Sequence, residues 1–73
     1  MTESTLAVMQ RRQIEITIGE LLLTSDYYIR LGIVERLHHL ISHADPSLEL
    51  TQLSEIAQEE LRELDLLSDI DNT

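Results

Sequence analysis

Cysteine is absent from this 73-residue sequence, which excludes disulfides, thiolate nucleophiles and zinc–thiolate sites. Phenylalanine and tryptophan are absent as well, and there are only two tyrosines. The apolar content is mostly Leu and Ile, which suits helix-on-helix packing. Every one of the five basic residues is arginine, so no lysine is available as a base or a Schiff-base former. With two glycines and one proline, the chain has few places to turn. It contains neither a glycine-rich phosphate loop nor a G-x-S-x-G elbow. A chain this short hardly encloses a pocket of several hundred cubic ångströms. Catalysis, a cofactor and a metal are therefore not expected.

No apolar run approaches the roughly 20 residues of a membrane span. The opening "MTESTLAVMQRR" carries an acid near its start and no apolar central stretch, unlike a secretory signal. A cytoplasmic location without membrane association is expected. A chain of this length buries only about 60% of its unfolded surface. Its core supplies on the order of 3–5 kcal/mol, and a homodimer is expected to make up the shortfall.

What the sequence has in excess is negative charge. Fourteen acids face five arginines, a net charge of −9. Residues 1–44 are nearly balanced, with five acids against four arginines, whereas residues 45–73 hold nine acids and only Arg62. Nucleic-acid binding relies on neutralising phosphates, and anionic lipid surfaces attract basic segments. Both are disfavoured. A protein partner with a basic surface is the natural complement.

Breaks at "TSD" (24–26) and "SHADPS" (42–47) divide the chain into three segments. In the first, about 5–23, Leu6, Met9, Ile14, Ile18, Leu21 and Leu22 follow helical spacing. The stretch "IEITI" (14–18) is also β-branched and alternating, which fits a strand. A lone strand needs a partner, such as the intermolecular ribbon of ribbon–helix–helix proteins. Those present basic or polar residues to DNA where this chain has Glu15 and Thr17, so helix is preferred. The second segment, about 26–44, places Ile33, Val34, Leu40, Ile41 and Ala44 within about 60° of Leu37, a wide apolar stripe. The third, about 47–68, repeats the pattern with Leu50, Leu53, Ile56, Ala57, Leu61, Leu64 and Leu67. Asp45 before Pro46 reads as its N-cap, with Thr51 as a competitor, and both chain termini are expected to fray. The expected fold is all-α, a small three-helix bundle or open helical hairpin in one domain, forming a homodimer through the first segment.

All three histidines fall in "ERLHHLISH" (35–43). Glu35, His39 and His43 lie one turn apart opposite the apolar stripe, which makes them a solvated helix face. A zinc peptidase helix would carry Glu directly after the first His of the pair, where this chain has Leu40. The third segment carries Glu55, Glu59 and Glu63 at four-residue spacing, continued by Asp65, Asp69 and Asp71. Like charges so spaced repel, and the row reads as a solubilising face or as a surface for a basic partner, including mimicry of the DNA backbone. Tyr27 is placed at the core margin. Tyr28 points outward at the start of the second helix and is the preferred interface residue outside the acidic row.

"LTQLSEIAQEEL" (50–61) resembles the first helix of helix-turn-helix domains through Ile56, Ala57 and Leu61. That resemblance implies a turn and a polar or basic recognition helix next, whereas "RELDLLSDIDNT" follows. "TIGELLL" and "RLHHLI" are similar to segments of small enterobacterial connector proteins. The register between them differs by about a helical turn, and no residue roles carry over. The function expected is a small acidic, non-catalytic regulator acting by protein–protein binding, of the adaptor, antagonist, inhibitor or antitoxin type that phages and plasmids encode. Its candidate contacts are Tyr28, Glu55, Glu59, Glu63 and Asp65. A helix-turn-helix-like regulator, with Arg11, Arg12, Arg30 and Arg36 on phosphates, or a small connector protein is the alternative.

Overall fold

Ser4 starts the first helix. Its hydroxyl accepts the Ala7 N–H at 3.0 Å, which satisfies one of the donors a helix start leaves open. In the computed structural model, which describes residues 3–66, α1 then runs Thr5–Leu23. The β-branched stretch 14–18 lies inside it, and none of the described residues forms a strand. Intrinsic helix propensity penalises Ile and Thr by less than about 0.7 kcal/mol each. Full burial of Ile14 and Ile18 outweighs that. Thr17 is also fully buried, and its hydroxyl donates to the Gln13 carbonyl at 2.7 Å, so it goes in without an unmet polar group.

Asp26 caps α2, Tyr27–Ser42, by accepting from the Tyr28 and Ile29 amides at 3.0 and 3.1 Å. The turn before it is closed from both sides. Thr24 Oγ1 donates to the Glu20 carbonyl, and the Arg30 guanidinium donates to the carbonyls of Leu21 and Thr24 at 2.8 and 3.0 Å. A side chain of α2 thus satisfies acceptors that the end of α1 leaves open.

The third segment departs from the expected helix of 47–68. It is a loop, a short 3₁₀ turn at Leu50–Gln52, and a nine-residue helix α3 at Glu55–Glu63. Asp45 does not cap it. Its carboxylate takes the Ser47 amide and hydroxyl at 3.0 and 2.6 Å and the Ser4 hydroxyl at 3.2 Å, and its carbonyl accepts from Leu48. Side chains of α1 and of the residues leading into it claim other donors of this loop, with Gln10 Oε1 accepting from the Asp45 amide and Glu3 Oε2 from the Glu49 amide. A loop with its polar groups so satisfied does not need the helical ladder. Ser54, rather than Asp45 or Thr51, is the N-cap, accepting from Ala57 at 3.2 Å. At the other end Asp65 adopts a left-handed φ of 64°. Leu66 then donates to the Leu61 carbonyl at 2.8 Å and Asp65 to that of Arg62 at 3.0 Å. This Schellman closure stops the helix five residues before the expected end. Residues 67–73, with Leu67, Asp69, Asp71 and the tail expected to fray, and residues 1–2 lie outside the described residues.

The core joins Ile14, Ile18 and Leu21 of α1, Ile33 and Leu37 of α2, and Leu53, Ala57 and Leu61. Among the described residues no helix is long and apolar enough to cross a membrane. Leu37 is completely buried at the centre. Leu37→Ala is expected to cost about 2–5 kcal/mol. That equals the stability available to a domain of this size, so urea unfolding followed by circular dichroism should show a largely unfolded variant at room temperature. Asp45 gives a pH-dependent prediction. Its hydrogen bonds from Ser47, and secondarily from Ser4, lower its pKa from the ordinary 3.8. A lowered folded-state value means stability that is present above pH 3.8 and lost as pH falls through the folded-state value. The stability difference between wild type and Asp45→Asn should therefore be flat from neutrality to about pH 4 and shrink below it, as read by urea melts across that range.

Candidate binding surface

The acidic residues of α3 project from a helix whose position α1 fixes. Glu15 of α1 accepts from the Ser54 amide at 2.6 Å and the Ser54 hydroxyl at 3.0 Å. Gln58 reaches back to donate to the carbonyls of Thr51 and Leu53 at 3.2 and 2.8 Å. Ala57 and Leu61 then face the core, and Glu55, Glu59 and Glu63 are left exposed on the far side. Glu55, Gln58, Glu59 and Arg62 line a shallow surface depression. Ile56, 65% exposed, stands beside that depression, on the Glu59 side. At about 100° per residue, Glu59, Glu60 and Glu63 flank it within about 60°. An apolar knob is thus surrounded by carboxylates, which the sequence pattern, counting Ile56 as core, did not indicate.

Asp65 lies beyond the helix end, exposed and in the left-handed conformation. Glu55 in the first turn suits the helix dipole, whereas Glu63 and Asp65 at its negative end oppose it.

Tyr28 is 80% exposed at the start of α2. Tyr27, expected at the core margin, is 66% exposed. Its ring packs edge-on against Tyr28 with centroids 5.3 Å apart. Both point away from the core because they directly follow the Asp26 cap, before α2 reaches its buried residues Ile33 and Leu37. Tyr28 is carried by the first turn of α2, whereas Glu55, Glu59 and Glu63 are carried by α3 and Asp65 follows it.

Three of the four arginines in the first half are occupied within the chain. Arg11 pairs with Glu3 at 3.0 Å, Arg36 with Glu20 at 3.1 Å, and Arg30 holds the interhelix turn. The histidine row is exposed. The rings of His39 and His43 lie 4.1 Å apart, and His43, the C-cap of α2, sets its Nδ1 3.0 Å from the His39 carbonyl. Among the described residues no group of three or more His, Asp and Glu side chains is assembled to hold a metal ion.

A third exposed set lies on α1, where Met9, Ile16 and Leu23 face solvent opposite the buried Ile14, Ile18 and Leu21, and Leu6 is exposed in the first turn. Spacing alone placed Leu6, Met9 and Leu22 with the core. The seven-residue interval from Met9 to Ile16 to Leu23 was the signal for a separate face.

The backbone at Asp65 gives a test of what this acid does for the fold. A left-handed conformation costs an L-residue about 1–2 kcal/mol relative to glycine, and the negative helix end adds repulsion. Asp65→Gly is expected to stabilise the chain by about 1 kcal/mol, visible as a higher urea midpoint with an unchanged slope. No family model matches this chain, and no curated protein and no solved structure matches it either.

Proposed function

We propose that this chain is a small acidic, non-catalytic regulator that acts in the cytoplasm by binding another protein and is itself a homodimer. The observation that carries the reading is Ile56, a large apolar side chain left in solvent and flanked by Glu59, Glu60 and Glu63. A lone charged face serves solubility. A single exposed isoleucine is ordinary on a protein surface, but one set among carboxylates offers a partner an apolar contact inside a charged rim. The complementary surface is an apolar socket with a basic rim. The carboxylates steer the encounter and the isoleucine supplies contact area that outlasts it. The mechanism is occlusion or conformational capture by the outer face of α3, with Tyr28 as a second contact at the other patch.

Three of the four front-half arginines being engaged internally supports a protein partner over phosphate contacts. The test is a tagged pull-down from the source cell, with and without nuclease, at low and moderate salt. It is run in parallel with an Ile56→Ala/Glu59→Gln/Glu63→Gln variant of unchanged helicity. A partner that survives nuclease and binds the variant about tenfold or more weakly (roughly 1.4 kcal/mol) is the expected result. The two Gln changes alone should weaken binding mainly at low salt, where exposed charges are least screened. Capture that vanishes with nuclease would replace this reading with the helix-turn-helix-like alternative.

A further inference from the structure

The outer face of α1 is apolar at Met9, Ile16 and Leu23, with exposures of 63, 51 and 90%. Spacing of seven residues holds one face of a helix toward another helix over several turns, because about 3.5 residues per turn is the period of supercoiled pairs. The partner that fits this face is therefore a helix. Its flanks carry Arg12 and Gly19 on one side, Gln13 and Glu20 on the other, by the same 100° rule. Arg12 is exposed and has no ion pair with the described residues.

We propose that the occupant is α1 of a second copy, running antiparallel about a two-fold axis beside Ile16. The inference rests on the homodimer reading above and adds the face and the direction. In this arrangement Ile16 meets Ile16 of the second copy, and Met9 meets its Leu23, because residues equidistant from Ile16 face each other. The flanks follow from the same symmetry. Arg12 comes level with Gly19 of the second copy on the shared side, where the missing side chain leaves room: nothing lies within 4 Å of a Cβ built there. Gln13 comes level with Glu20 of the second copy, which can accept its amide.

Charge favours self-pairing through α1 over α3. Helix α1 carries Arg11, Arg12, Glu15 and Glu20 and is neutral, whereas α3 carries four glutamates and one arginine. Two copies of a chain of charge −9 repel less with their α1 helices together than with their α3 helices together.

The absence of cysteine makes the test direct, because single introduced cysteines have no native competitors. Analytical ultracentrifugation of the full chain first establishes whether it is a dimer. Under mild oxidation Ile16→Cys should then cross-link to itself. Met9→Cys alone should not, since its two copies stand about 21 Å apart and a disulfide needs Cα atoms within about 7 Å. A mixture of Met9→Cys and Leu23→Cys chains should give the mixed disulfide. Ile16→Glu should raise the dimer dissociation constant at least about tenfold while the helical circular dichroism stays unchanged.

A monomer at all concentrations would overturn both this inference and the homodimer reading. A dimer in which Ile16→Cys fails to cross-link and Ile16→Glu has no effect would overturn the inference and leave the homodimer standing on another face. Self-cross-linking of Met9→Cys would overturn the antiparallel direction.

Discussion

Burial on one side of α1 is the constraint that organises the rest. Ile14, Ile18 and Leu21 form a row against which Ile33 and Leu37 pack from α2, and Ala57 and Leu61 from α3. Helices α2 and α3 touch each other little, so their relative placement is set through α1. The polar contacts repeat this dependence. Ser4, Glu3 and Gln10 hold the loop before α3, and Glu15 holds the Ser54 cap. A chain without Phe, Trp or Cys thus has one helix, with the residues leading into it, serve as common wall and common strap.

The electrostatic division of labour follows from the same geometry. In the front half, acids act as internal acceptors: Glu3 for Arg11 and the Glu49 amide, Glu15 for Ser54, Glu20 for Arg36 and Asp26 for the start of α2. Exposed surface pairs of this kind contribute little each, but several here bind backbone donors that would otherwise lack partners. Among the described residues, the acids of α3 accept from no backbone amide. Their clustering is a property of the surface rather than of the fold.

The sequence announced the helices most clearly where one feature dominated. The stripe of Ile33, Leu37 and Ile41 and the break at residues 24–26 made α2 readable, and the full length of α1 was readable once its strand-like stretch was weighed against the lack of a pairing partner. The third segment was misread because a local turn and tertiary contacts act on it together. Asp45–Pro46 has the form of a helix start, but the Asp45 carboxylate closes onto Ser47 two residues on, and Ser4 and Gln10, 41 and 35 residues away, hold the turn. The stop at Asp65 was hidden because glycine is the usual residue at such a position. In the candidate surface, the exposure of Glu55, Glu59, Glu63 and Tyr28 was legible from helical phase. That of Ile56 and Tyr27 was not, because apolar residues near helix starts are core or surface according to where the preceding chain enters.

The Glu15–Ser54 clamp has a consequence for the order in which parts of the molecule come loose. A nine-residue helix is too short to persist in water by itself, and α3 is held by one buried edge and a carboxylate at its first turn. It is the natural first unit to open, ahead of the α1–α2 hairpin, in the graded local unfolding that small domains undergo. Amide exchange should be faster along α3 than along the buried side of α1. A partner that grips the outer face of α3 would then do more than occupy it. By favouring the docked helix it would tighten the whole core, and its affinity would contain the free energy of closing a door that stands partly ajar.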